Sequence, residues 1–219
     1  MITHHPDARL LNEFSSGSLP LAQSVCVSLH LKYCELCQRN HQRLQQLGSA
    51  LFEDLAPQQV DDSLLRTVMS RLDEEQPALS YRDDSPQEGN SYPALVQRLM
   101  AGDYEDLDWQ RINSSLRISR LATGDTHNEF ALYHIKAGGS IPKHTHKGTE
   151  LTLVLDGSFS DEEGLYRQGD FLMRDAEQVH SPTAAKDADC VCIGVLDATI
   201  RFTAWNYRML NPFLKLQAH

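Results

Sequence analysis

Two hydrophobic periods share one chain, and the change between them limits the possible folds more than any other feature. Up to about residue 73 the apolar residues recur at helical spacing, whereas from Trp109 onward they alternate. A helical period does not settle as a strand, so the two halves are expected to fold as domains of different class. In the first half, Pro6 suits an opening helical turn, and Leu10, Leu11 and Phe14 share a face before Gly17. Leu21, Val25 and Leu29 predict a second helix over 19–31, and Leu36, Leu44, Leu47, Leu51 and Leu55 a third over 35–55 that stops before Pro57. Asp61, Asp62 and Ser63 supply N-cap chemistry for a fourth, with Leu64, Leu65, Val68, Met69 and Leu72 on one stripe. These short helices are expected to surround a small core of their own.

Residues 74–91 are acidic, contain Pro77 and Pro86, and lose all periodicity. This composition predicts a flexible linker and argues against a large, rigid interface between the halves. A brief helix is expected over 92–100. Short alternating segments follow over 117–121, 130–135, 150–155, 157–159, 170–174, 189–195 and 199–202, separated by Gly and Asp turns. Strands at that rhythm predict a β-sandwich or barrel. The expected organisation is a small all-α domain over 1–75, a linker over 76–91 and an all-β domain over 92–219.

Charge narrows the partners. The chain carries 20 Lys and Arg against 30 Asp and Glu, a formal net charge of -10. DNA binding needs basic surface to displace counterions, so direct nucleic-acid contact is not expected and a basic protein partner suits better. No apolar run approaches the roughly 20 residues of a membrane span, and MITHHPDARL has no signal-peptide pattern, so a cytoplasmic protein is expected. There, the five cysteines read as thiols or metal ligands rather than disulfides.

Two constellations carry chemistry. His30, Cys34 and Cys37 lie within eight residues at a predicted helix junction. Zinc takes four tetrahedral nitrogen and sulfur ligands, and His4 or His5 is the obvious source of the fourth. A redox dithiol would sit in an α/β setting, which this half lacks. Cys26, between Val25 and Val27, reads as a buried structural thiol. In the second half, His144 and His146 sit two apart on a strand and so face one way, Glu150 opens the next strand, and His180 follows a later one. Three imidazoles and a carboxylate inside a small barrel make a mononuclear metal site for zinc, iron, manganese or nickel. Cys190 and Cys192 face one side of a late strand and read chiefly as packing residues. His41, His127 and His134 lack partners at ligand spacing, and Trp109 and Trp205 read as packing residues.

The second pattern, glycine, five residues, HxH, three residues, Glu, six residues, glycine and a later His, is that of the cupins. The first resembles the anti-sigma zinc signature HxxxCxxC. Together, in this order, they resemble the ChrR family of anti-sigma factors over nearly the whole chain. The resemblance implies a helical domain with zinc on His5, His30, Cys34 and Cys37 that clasps an extracytoplasmic-function sigma factor. It also implies a cupin (double-stranded β-helix) domain with a second zinc on His144, His146, Glu150 and His180, needed for the response to singlet oxygen or organic hydroperoxide. Two features depart from the cupin pattern. Asp175-Ala-Glu177 stands where a Pro-x-Gly usually precedes the last histidine, and Ala184 replaces a frequent asparagine.

An anti-sigma factor is therefore the leading reading, with no catalytic residues. Residues 1–91 carry 7 basic and 13 acidic residues, net -6, which suits a basic partner. The fourth helix is a candidate contact element, unless its stripe packs on its own core. A metal-dependent cupin dioxygenase with a helical zinc-binding appendage is the alternative, since an open coordination position can activate oxygen. A third reading is a small-molecule-binding cupin whose zinc module dimerises.

Overall fold

A computed structural model of the chain describes residues 2–72, 92–100 and 103–203. Helices α1 (Ala8–Ser15), α2 (Leu21–Tyr33), α3 (Glu35–Glu53), α4 (Asp62–Leu72) and α5 (Ala94–Met100) precede eleven strands. Asp7 caps α1 by accepting from the Leu10 N–H at 2.6 Å, while Pro20 sets the entry into α2 without a side-chain bond. The expected helices are all present, whereas the expected linker at 76–91 lies outside the described residues.

The strands are β1 (Gln110–Arg111), β2 (Leu116–Arg120), β3 (Glu129–Ile135), β4 (His144–His146), β5 (Glu150–Asp156), β6 (Ser158–Ser160), β7 (Leu165–Arg167), β8 (Phe171–Arg174), β9 (Thr183–Ala184), β10 (Cys190–Leu196) and β11 (Ile200–Phe202). A six-stranded antiparallel sheet in the order β1-β2-β3-β10-β5-β8 forms one wall. The facing wall combines β11-β4 with β7-β6-β9, joined by bridges between Ser140 and Thr183 and between His144 and His180. Short β7 and β9 escape sequence reading because two or three residues carry too little alternation to register.

Each central strand divides its side chains between two apolar environments. Val154 on β5, Ala131 and Ile135 on β3, and Cys190 and Cys192 on β10 face the interior with Phe159, Tyr166 and Leu172. Their neighbours Leu151, Leu153, Phe130, Leu132, Val191, Ile193 and Val195 face outward, against Leu10, Leu11, Ala22, Cys26, Val27 and Leu29 of the helices and Val96 and Met100 of α5. The near-continuous apolar run Cys190-Val-Cys-Ile-Gly-Val-Leu196 is the signature of a strand buried on both faces.

This arrangement corrects two expectations. The first helices have no separate small core, because α2 lies across β5 and β10 and completes the outer layer of the sheet. The interface between the halves is therefore extensive and apolar rather than loose. Polar ties reinforce it: Asp125 accepts from the Ala22 N–H at 3.1 Å, and the Phe171 N–H donates to the His4 carbonyl at 3.0 Å. Second, the apolar positions of the later helices are not core. Every residue from 45 to 72 is exposed, so Leu47, Leu51 and Leu55 of the third helical segment and the whole α4 stripe face outward. In α3, only Cys37 is buried.

Candidate metal centres

Cys34 makes the first centre possible. It ends α2, its N–H donating to the His30 carbonyl at 3.1 Å, and it begins α3, its Sγ accepting from the Cys37 N–H at 3.4 Å. Its extended backbone reverses the chain between the two helices. His30 in the last turn of α2 and Cys37 in the first turn of α3 therefore converge on it. His5 arrives from the extended segment before α1, its Nδ1 3.3 Å from the Cys34 Sγ and 3.5 Å from the Cys37 Sγ. Of the two N-terminal candidates, His5 joins the group, whereas His4 lies against Asp170 and the Tyr166 ring.

One potential ligand atom from each of His5, His30, Cys34 and Cys37 lies within 4.8 Å of the others. A tetrahedral zinc with bonds of about 2.0–2.3 Å separates its ligand atoms by roughly 3.3–3.8 Å, so the spacing fits. The donor chemistry fits as well. The Nδ1–H of His30 donates to the Gly169 carbonyl at 2.8 Å, leaving Nε2 as a buried lone pair with no hydrogen-bond partner. Burial drives this imidazole down to about 4, keeping it neutral. Burial, with the neighbouring Cys34 thiol, pushes Cys37 up to about 12, so a cation is needed to hold that sulfur as thiolate.

The second centre lies inside the barrel. His144 and His146 flank Thr145 on β4, both buried and on one face. His180 is set opposite His144 by a pair of 3.0 Å backbone hydrogen bonds. Glu150 opens β5, with Oε2 2.9 Å from His146 Nε2 and 3.5 Å from His180 Nε2. The Nε2 atoms of His144 and His180 are 2.9 Å apart, and those of His146 and His180 3.3 Å. Donation from His144 Nδ1–H to the Pro142 carbonyl at 2.8 Å aims its Nε2 at the group. Glu150 Oε2 has no hydrogen-bond partner of acceptable geometry. A divalent ion with bonds near 2.1 Å spaces its ligands by about 3.0–3.4 Å, so these residues too fit a metal.

Burial lowers His144, and His180 to about 4, favouring the neutral imidazoles a metal requires. Burial alone would raise Glu150, but the 2.9 Å approach of His146 Nε2, with His180 and His144 beside it, holds it at about 2. His144, Glu150 and His180 border a cavity of ≈ 340 Å³ with a mostly apolar wall that includes Ile118, Tyr133, Phe159 and Cys192.

The departure at 175–177 closes without Pro or Gly: Asp175 Oδ1 accepts from the Glu177 N–H at 2.9 Å, and Gln178 Oε1 from the Asp175 N–H at 3.1 Å. Ala184 is buried on β9 opposite Phe159. The residues expected to be structural are so placed. Cys26 is fully buried, and Cys190 and Cys192 pack inside the barrel with their sulfurs 3.5 Å apart. His41 bonds Ser15, His134 bonds Tyr104 and Asp189, and the Asp125 carboxylate accepts from the His127 N–H. Trp109 packs beneath the Arg117 guanidinium, while Trp205 lies outside the described residues.

Sequence reasoning missed buried Arg174, which faces Glu150 across β5 and β8 and lines the same cavity. It bonds Asp161, Glu163 at 2.8 Å and Tyr166 at 3.0 Å. Its sole signal is an arginine ending an apolar strand after the acidic turn at 161–163.

A family model described as the ChrR cupin-like domain matches residues 97–198. The anti-sigma-E factor ChrR of Cereibacter sphaeroides is 33% identical over 217 residues, 98% of this chain and 99% of its own length. The crystal structure of Rhodobacter sphaeroides SigE in complex with the anti-sigma ChrR contains a similar chain. It is 32% identical with a TM-score of 0.77, over 90% of this chain and 99% of that one.

Proposed function

The chain belongs to the ChrR family of anti-sigma factors, and on that premise we propose that it sequesters an extracytoplasmic-function sigma factor in a one-to-one complex. The observation that carries this reading is the exposed stretch from 45 to 72. Phe52, Leu55, Val60, Leu65 and Leu72 are each more than 60% exposed, and Val68 and Met69 extend the same stripe along α4. Large apolar side chains exposed in such number along one segment mark a surface for a partner. The partner's name comes from the relative, which forms a complex with SigE. Asp54, Asp61 and Asp62 at the rim of the stripe suit a basic polypeptide.

In this reading the helical half, 1–75, holds one zinc on His5, His30, Cys34 and Cys37, and the linker spans 76–91. The cupin half, 92–219, holds a second metal, zinc or one of manganese, iron and nickel, on His144, His146, Glu150 and His180. Sigma-factor binding makes the cytoplasm the site of action, and no helix among the described residues is long and apolar enough to cross a membrane. An oxidative signal, singlet oxygen or an organic hydroperoxide, acts at the cupin metal and releases the partner. The apolar cavity beside the quartet supports that assignment, since it can admit a small organic oxidant. Chemically, the ion would supply Lewis acidity and an exchangeable position. The chain's part is to hold His144 and His180 neutral and Glu150 ionised.

Coexpression with a candidate sigma factor tests the reading. Full-length protein should copurify with it, and Leu65→Asp with Met69→Asp should abolish copurification while zinc content and thermal melting stay unchanged. Undiminished binding by that double variant would remove the stripe as the contact surface.

A further inference from the structure

The N-terminal metal cluster is not enclosed by its own helices alone. The turn between β7 and β8, with the first residue of β8, reaches it from the barrel at three places. The Gly169 carbonyl accepts from His30 Nδ1–H at 2.8 Å, across 139 residues of sequence. The Asp170 carboxylate is almost wholly buried, and its Oδ1 accepts from the Thr3 N–H at 2.8 Å and the His4 N–H at 3.0 Å. The next residue, Phe171, donates its N–H to the His4 carbonyl and sets its ring edge-on to His30, centroids 5.6 Å apart.

These contacts hold both histidines of the cluster. A metal-bound imidazole takes its orientation from whatever its other nitrogen bonds, and here that partner is a barrel carbonyl. His5 belongs to no helix. The extended strap that carries it, residues 2–6, is tied down immediately before it by Asp170 and Phe171. The turn is shaped for this contact. Gly169 adopts φ +88, and a Cβ there would come within 2.7 Å of Ile2 and 2.9 Å of Tyr33. Asp170 Oδ2 accepts from the Arg167 N–H at 2.8 Å, so the same carboxylate closes the turn and grips the strap.

We infer that the His5–His30–Cys34–Cys37 centre is a two-domain site. Gly169 and Asp170 of the barrel are its positioning residues, and any movement of this turn changes how firmly the centre holds its metal. The inference rests on the reading that the cluster binds zinc. It gives the cupin half a direct physical hold on the helical half's metal, through contacts that do not involve the linker.

The test uses full-length protein, with zinc release to an excess of a chelating dye and, after cobalt substitution, thiolate-to-cobalt absorption, which only the cysteine-containing centre can give. Asp170→Ala removes every acceptor from the strap and should speed release from that centre by about 10- to 100-fold. It should also shift the cobalt bands. Asp170→Asn retains one acceptor oxygen for Thr3 and His4 and should be intermediate, and it carries the test if the alanine variant does not fold. Leu121→Ala, a buried substitution just after β2 and across the six-stranded sheet from β8, should release at the wild-type rate with an unshifted spectrum. Wild-type release and an unchanged spectrum in the folded Asp170 variants would overturn the inference while leaving zinc binding intact. Absence of thiolate-to-cobalt absorption in the wild type would overturn the zinc reading itself, and the inference with it.

Discussion

The backbone N–H of Ala22, at the start of α2, donates to the Asp125 carboxylate on the loop between β2 and β3, 103 residues away and fully within the interface. Asp125 also accepts from the His127 and Asn128 N–H groups, as Asp170 does from those of Thr3, His4 and Arg167. Two buried carboxylates therefore join α2 and the N-terminal strap to the barrel through backbone donors.

Acid should loosen that junction. Burial alone would raise both carboxylates, but their backbone hydrogen bonds more than offset it and hold them below the usual aspartate value. A depressed folded value stabilises the protein fully above the unfolded value, about 3.9, and this contribution disappears as pH falls through the folded value. Urea unfolding of wild type and of Asp125→Asn with Asp170→Asn should therefore show a stability gap at pH 6 that closes below about pH 4. A gap that persists at pH 2 would assign the difference to packing instead.

The two candidate metal centres should be separable. Changing Cys34 or Cys37 to Ala leaves three ligands and should remove one of two metal equivalents, release the sigma factor and unfold the exposed helices. The barrel should remain folded, because its interior core is independent of both thiols. Metal analysis together with near-ultraviolet circular dichroism checks this. Two equivalents retained in Cys34→Ala would contradict it.

His144→Ala or Glu150→Ala should leave sigma-factor binding within a few-fold of wild type but reduce oxidant-induced release to the background level. Of the four candidate ligands Glu150 is expected to be displaced most easily, being a carboxylate among imidazoles and half-buried where the histidines are fully buried. Cys190→Ser with Cys192→Ser should have much less effect, since both thiols pack in the barrel core. The measurement is sigma-dependent transcription with and without singlet oxygen or an organic hydroperoxide. Normal induction in His144→Ala would return the trigger to Cys34 and Cys37.

Gly194→Ala should destabilise the barrel by about 1–3 kcal/mol, the usual cost of overpacking a filled core. A Cβ there would lie 2.5 Å from the Tyr133 ring, which crosses the glycine inside the cavity. Tyr133→Ala in the same background should recover part of the loss. Denaturant midpoints of the two variants measure it.

Sequence alone marked most of the elements and all but one of the candidate ligands. Leu10, Leu11 and Phe14 at helical spacing, the break at Cys34 between two helical runs, and the alternation around His144 and His146 are local patterns, and local geometry follows from them. His30, Cys34, Cys37, His144 and His146 could be grouped because few residues separate them, whereas Glu150 and His180 joined through the cupin pattern. Only the tertiary structure decided what the apolar stripes face. Leu29 and Leu51 each sit on an apolar stripe of a helix, yet one is buried against β5 and β10 and the other is exposed. A helical period marks a face that needs covering and does not identify what covers it. The same holds for the choice of His5 over His4, set by Asp170 and Phe171, and for the Gly169 carbonyl on His30. Those contacts cross more than 130 residues, and their backbone donors and acceptors leave no mark in side-chain pattern.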